Sequence, residues 1–390
     1  GKSPWFEMFG TAMTYHAFPR RHWQRDAVFF MFGDSARSHW YGPDPHLRLF
    51  ASATRDGRGQ WLADEMNRAG VALDSAAYLN LVWHDPTVKP RAPRDLPTMR
   101  HFDDMEIVIM RSGWDGDESV MALKCGPGSG HHAALRDNHT ACGGHMYPNA
   151  GGILLFAHGD LLISEPGYAR KMSAYHNLAL INGRGQISEG GAWYEDLEFR
   201  KGHPVPFILR AVPGARRDYV VADVTNAYPP AADLKRYLRH IIFIKPDAWI
   251  IVDEFETGKP GQFDILFHSR APYTTPDRAT ATTSGPKGAL TATGLGPGDF
   301  SIQAEQQVAS GADTGHPDHT LNLLRIRSSA ATRRHHCITL LQAYPAGKKP
   351  PFVAQWSATP AGGRLALKRA GKSVALKLNL KRKDLDTPIV

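Results

Sequence analysis

Cysteine is scarce in this sequence: Cys125, Cys142 and Cys337 make an odd number with no Cys-x-x-Cys pair. That excludes a disulfide framework and a cysteine-built zinc finger. Cys125 and Cys142 flank a His-rich loop, so a bond between them is one reading, and buried thiols are the preferred one. No apolar run has the length needed to cross a bilayer. No basic-then-apolar leader stands at Gly1 and the chain does not begin with Met, which fits a processed or trimmed product. Repeats and low-complexity tracts are absent too, and with them solenoids and arrays.

What is present suits a globular protein. The 390 residues, 42% of them hydrophobic, suffice for two domains and a well-buried core. Lys and Arg number 46 against 38 Asp and Glu, a net +8, which favours polyanionic partners. The basic residues are spread along the chain, with one dense run at Lys381-Arg382-Lys383 and no nucleic-acid-binding motif. Charge alone does not separate nucleic acid from an acidic polysaccharide as that partner.

The texture changes once along the chain. Trp5 to about Gly70 reads as helical, rich in aromatics (Phe9, Tyr15, Phe18, Trp23, Phe29, Phe30), with amphipathic spacing over Leu47 to Asn67. Asp74-Ser75 is a candidate cap for one more helix through Trp83. Asp85 to Thr98, with Pro86, Pro90, Pro93 and Pro97, reads as the connection to a β part. Strands are expected at Met105–Met110, Ser119–Lys124, Tyr219–Ala222, Leu238–Lys245, Trp249–Asp253 and Phe263–His268. Others are expected near Phe300–Glu305, Leu321–Ile326, Cys337–Gln342 and Val374–Leu380. Short strands separated by Gly, Pro and Asp clusters predict a large antiparallel sandwich. The fold class is α+β: residues 1–98 helical, 99–390 sandwich.

The rest of the chain is arranged around residues 143–191. Two short strands joined by Gly159-Asp160 bring three polar clusters to one end of a small sheet: His145–Asn149, Glu165–Tyr168 and Tyr175–Asn177. A His, a carboxylate and a second His beside tyrosines make a candidate catalytic or metal-binding group. His131, His132, His139 and His145 crowd the loop before them. This loop reads as a metal site or, preferably, as a cover over a cleft with His132 near substrate. Tyr168 and Tyr175 are candidates to stack on sugar, or else pack on the sheet. Arg239, inside a strand, reads as a buried ion pair.

These motifs in order, with Arg111-Ser112-Gly113-Trp114, Gly126–His132 and Asn182–Gln186, resemble the heparinase II/III-like polysaccharide lyases, in the branch of oligo-alginate and exolytic glycosaminoglycan lyases. The resemblance covers Phe102 to His268 well and the helices more loosely. It implies a partial α/α toroid followed by an antiparallel β-sandwich with a cleft between them. The helical part would be the end of a larger toroid. It also implies β-elimination on a uronate-containing polysaccharide such as alginate or a glycosaminoglycan, in a periplasmic or secreted bacterial protein. That reaction needs a base for the C5 proton, an acid for the leaving oxygen and groups that neutralise the carboxylate.

Carried over by position, His145 matches the sandwich-side active-site histidine and Tyr15 the catalytic tyrosine. The family's His-x-His-Pro-Asp-Ala-Asn pattern carries a structural zinc on its second His, a later Asp and a further His. Here Tyr147 replaces that second His, Glu165 the later Asp, and His176 is kept. Glu165 and His176 are thus the candidate ligands of a reduced zinc site, or a buried His–Glu hydrogen bond. A non-catalytic glycan-binding protein on a lyase fold is the alternative.

Overall fold

The computed structural model describes residues 4–24, 28–33, 44–72, 77–128, 130–132, 145–187, 189–190, 204–310, 318–369, 372–382 and 387–390. Its helices are α1 (Pro4–His16), α2 (Asp44–Thr54), α3 (Gly57–Arg68) and α4 (Ala77–Trp83). Asp56 separates α2 from α3, accepting from the amides of Arg58 and Gly59 at 2.9 and 3.2 Å and so capping α3.

The helical expectation for residues 5–70 needs correcting between α1 and α2. There Ala17 bridges Phe29, and Gly33 bridges Met146, as in extended chain. Phe29 packs with Leu47, Leu62 and Met66 of the helices, whereas Phe30 and Phe32 pack against a β-sheet. Side chains alternating between two cores have the period of a strand.

That sheet holds β1 (Met99–Phe102), β2 (Ile107–Arg111), β3 (Val120–Lys124), β4 (Gly152–Ala157) and β5 (Asp160–Ile163), antiparallel and in sequence order. The expected strand at 105–110 starts later because Glu106 has φ +50°, a turn conformation. An eight-stranded antiparallel sheet runs in the order Tyr273–Asp277, Thr280–Ser284, Gly288–Leu295, Thr332–Pro345, Ala248–Gly261, Leu234–Ile244, Arg217–Asp223, Phe207–Val212. A four-stranded sheet orders Phe300–Ala309, His319–Ser328, Phe263–Ser269 and Ala179–Ile181. Val353–Thr359, Gly362–Arg369 and Lys372–Asn379 form a three-stranded one.

The layers follow from strands buried on both faces, which read as continuous apolar runs. In β2, Val108 and Met110 face the central core while Ile107 and Ile109 meet Tyr15, Phe18 and Phe30. In Leu234–Ile244, Ile241 and Phe243 face the central core, and Ile242 and Ile244 meet Leu365, Leu367 and Leu378 of the three-stranded sheet. Antiparallel β-sheet, the architecture expected, makes up most of the secondary structure of the described chain. Cys125 and Cys337 are buried thiols, and Cys142 lies outside the described residues. No described helix is long and apolar enough to cross a membrane.

Candidate functional site

β4 and β5 form the expected hairpin, with His158 and Gly159 at positive φ in the turn. The chain then folds back, and the three polar clusters meet at one end of the sheet. The hydroxyl of Tyr147 donates to the Gly167 carbonyl at 2.6 Å and accepts from the Ala169 amide at 3.0 Å. Its ring lies 4.7 Å from that of His176, whose Nδ1 donates to Glu165. Asn177 donates to the carbonyls of Ile153 and Ser164 at 2.8 and 2.9 Å and accepts from the His268 amide at 2.7 Å. Burial, with His176 alongside, pushes the His268 imidazole down to about 3.

Two further side chains hold the knot to its surroundings. Asn149 donates to the Phe32 carbonyl at 2.9 Å, tying it to the extended segment. Arg239, fully buried, pairs with Asp253 at 2.7 Å and donates to the carbonyls of Gly151 and Asn177 at 2.7 and 2.9 Å. It is the buried ion pair the sequence suggested, and it satisfies carbonyls from both ends of the motif. Gly151 has φ +79°, and a Cβ there would press on Val224 at 3.0 Å, so the turn that offers its carbonyl requires glycine.

A cleft of about 440 Å³ opens beside the knot, between the extended segment (Phe29, Met31, Gly33), the hairpin (Leu154, Leu161) and the end of the four-stranded sheet. Glu165, Pro166 and Gly167 form part of its wall. Gly33 packs so closely on the His145 carbonyl that a Cβ would stand 2.7 Å from it. His145 and Tyr168 are not among the cleft-lining residues, but the His145 carbonyl packs on Gly33 of the wall and Tyr168 follows Gly167 of it. The Tyr168 hydroxyl lies 3.3 Å from His145 Nδ1, with His145 exposed and Tyr168 half-buried.

Tyr15 is not among the cleft-lining residues. Its ring is 1% exposed, packed edge-on against Phe102 and Trp114, and its hydroxyl donates to the Pro97 carbonyl at 2.7 Å. Burial raises its pKa, the wrong direction for a base. Tyr15, in the last turn of α1, packs on the five-stranded sheet with Ile107 and Ile109, whereas Phe6 and Phe9 of the same helix pack on Phe50 of α2. Tyr175 packs against the cluster of Ala169, Ala309 and Leu321 and is not among the cleft-lining residues. His132 is exposed, its amide donating to Asp104 at 2.7 Å, and it does not line the cleft either. The neighbouring His131 is bound to Glu106 at 2.8 Å, and His139 lies outside the described residues.

The zinc implied by the resemblance does not fit these residues. Glu165 and His176 Nδ1 are in direct contact with no gap for an ion, and the Tyr147 hydroxyl is taken up by backbone. Among the described residues no three His, Cys, Asp or Glu converge as metal ligands. Sequence reasoning missed Gln24, Arg270 and His319, which also line the cleft. The only signal for the last two was a basic residue at a strand end.

The fold is a set of packed antiparallel β-sheets with an open cleft at one end. The family described as Heparinase II/III-like, C-terminal, matches residues 94–339, and the chain belongs to it. Solved structures share the fold at low identity. A heparan sulfate lyase (HepC mutant) from Pedobacter heparinus is similar at 15% identity and TM-score 0.62, over 96% of this chain and 52% of that one. Heparinase III gives 14% and 0.63, over 95% and 53%. A chondroitin AC lyase mutant from Streptomyces coelicolor A3 gives 11% and 0.54, over 95% and 55%. The chain spans about half the length of these structures.

Proposed function

We propose that this protein is a polysaccharide lyase that cleaves a uronate-containing acidic glycan, alginate or a glycosaminoglycan, by β-elimination. The observation that carries the reading is the Tyr168 hydroxyl 3.3 Å from His145 Nδ1, on segments that adjoin the wall of an open cleft. In the elimination a base takes the C5 proton, the C4–O bond breaks with its electron pair leaving on oxygen, and that oxygen gains a proton. A phenol next to an imidazole suits such proton traffic, and His145 would carry or position the proton while Tyr168 holds the sugar and shares the work. In this reading the neighbouring knot of Tyr147, Glu165, His176 and Asn177 holds the pair in place without metal. The reading takes residues 1–98 as the end of a helical toroid and 99–390 as the sandwich. It places the protein in the periplasm or outside the cell, where such glycans are met.

A second reading, a glycan-binding protein on a lyase fold, draws support from the burial of Tyr15. One experiment decides. The protein is incubated with alginate, heparan sulfate, hyaluronan and chondroitin, and ultraviolet absorbance of the 4,5-unsaturated uronate is followed. Absorbance that grows with time, and is lost in His145→Ala, supports the lyase. Retarded glycan mobility with no absorbance supports the binder.

A further inference from the structure

The carboxylates of this chain are not spread as its basic residues are. Between Asp318 and Asp384 stand fourteen Lys and Arg and no Asp or Glu. All 38 acidic residues lie in the rest of the chain, which is net acidic. Several basic side chains of the stretch reach a carboxylate on an earlier strand. Arg325 and Arg327 pair with Asp264, Arg334 with Glu256, and Arg382 with Glu254. The outer face of the three-stranded sheet has no such pairing.

That face follows from register. Leu365, Leu367, Leu376 and Leu378 point inward, onto Ile242, Ile244 and Ile250 of the eight-stranded sheet. Alternation turns Arg364, Lys368 and Lys377 outward, and all three are exposed. Arg364 stands directly opposite Lys377, with Ser357 on its other side, and Lys368 stands between Ser373 and Val353. Gln355, Ala366 and Ala375 fill the row between them. Among the described residues none of these three cations has a carboxylate partner. Like charges facing each other at about 5 Å across two strands cost stability, and a negatively charged ligand offsets that cost. The eight-stranded sheet separates this layer from the four-stranded sheet and the cleft, since its two faces meet different cores.

We propose that the outer face of the three-stranded sheet is a second docking surface, remote from the cleft, for the chain of an acidic polysaccharide. A polyanion laid across the strands meets Arg364, Lys368 and Lys377 with no carboxylate beside them to repel it. Among its described residues the face has no aromatic side chain on which a base could stack and no element that would enter a groove, which sets nucleic acid aside. The identity of the polyanion as a glycan rests on the lyase reading, and the surface rests on register and charge. Holding a long chain here raises its concentration at the cleft, an advantage that a short oligosaccharide does not share.

The test uses the triple variant Arg364→Gln, Lys368→Gln, Lys377→Gln and fluorescent polymers of heparan sulfate and alginate, in a His145→Ala background that keeps the probe whole. Binding of at least one polymer is expected to weaken about tenfold, the size of three exposed charge contacts, and to lose part of its salt dependence. With His145 intact, the triple variant should turn over a tetrasaccharide, too short to span both places, with kcat and KM within about twofold of wild type. A tenfold loss there too would overturn the separation from the cleft. Equal polymer binding in a variant that melts like wild type overturns the surface, as does the absence of polymer binding by wild type. A DNA duplex that binds more tightly than either polymer, and loses that binding in the triple variant, overturns the glycan as occupant. Wild type that releases no unsaturated product fails as a lyase only, because polymer binding is read without turnover.

Discussion

The ring of Tyr147 lies 4.7 Å from that of His176, in the space where a second imidazole would stand if the family's metal pattern were intact. With its hydroxyl bound to Gly167 and Ala169, the phenol closes by hydrogen bonds a corner that a metal would close by coordination. Purified protein should therefore hold much less than one zinc per chain by elemental analysis, and a chelator should leave its melting temperature unchanged. Tyr147→Phe leaves the buried Ala169 amide without an acceptor and should cost about 1–3 kcal/mol. One tightly held zinc per chain would sink this account.

His145→Ala and Tyr168→Phe should lower kcat by about a hundredfold or more, the usual scale for a positioned proton-transfer group, without loss of fold. Tyr15→Phe is the control. It gives up the hydroxyl's bond to Pro97, worth about 1 kcal/mol, and should leave kcat nearly as it was. A kcat collapse in Tyr15→Phe at wild-type stability would return that residue to the active site.

Arg239→Met should destabilise by about 3–5 kcal/mol, since it strands the Asp253 carboxylate in the core. The double change Arg239→Met, Asp253→Leu removes the charge but still leaves the Gly151 and Asn177 carbonyls without their donor. It should recover only part of the loss. Chemical denaturation midpoints test both, and full recovery would show that the guanidinium's backbone contacts carry little weight.

His268 is held down to about 3 by burial, and His16, His240 and His335 are lowered for the same reason. Each ring holds its proton less readily in the fold than in the unfolded chain, so it takes up protons on unfolding below its ordinary value. Below the ordinary histidine value of 6.5 the unfolded chain binds more protons, so stability falls as pH drops from there towards 3. Each such ring adds up to about 1.4 kcal/mol per pH unit. Melting curves between pH 7 and pH 4 should show the decline, with a shallower slope in His268→Gln. Equal slopes would mean that His268 is not kept neutral.

Much was legible in residues 143–191. Gly-Asp between apolar runs specifies a hairpin, and the hairpin alone brings Glu165 and His176 back towards Tyr147. The β-runs of Leu238–Lys245 and Trp249–Asp253 were legible because strands buried on both faces are apolar throughout. Residues 28–33 were misread because dense aromatics suit a helix face and extended chain equally well. Which one forms depended on two cores, one on each side, that no local pattern reveals.

By itself the sequence determined the antiparallel β-architecture, the hairpin, and the presence of His145 and His176 with Glu165 and Tyr147 where the family pattern has an aspartate and a histidine. Those follow from period, turn chemistry and residue type, which are local. Tertiary structure alone decided that Tyr15 is sealed between α1 and the five-stranded sheet, that Tyr168 stands beside His145, and that Arg270 and His319 share a cleft wall. Each of these depends on side chains far apart in the chain meeting across packed layers, and sequence spacing carries no measure of that distance.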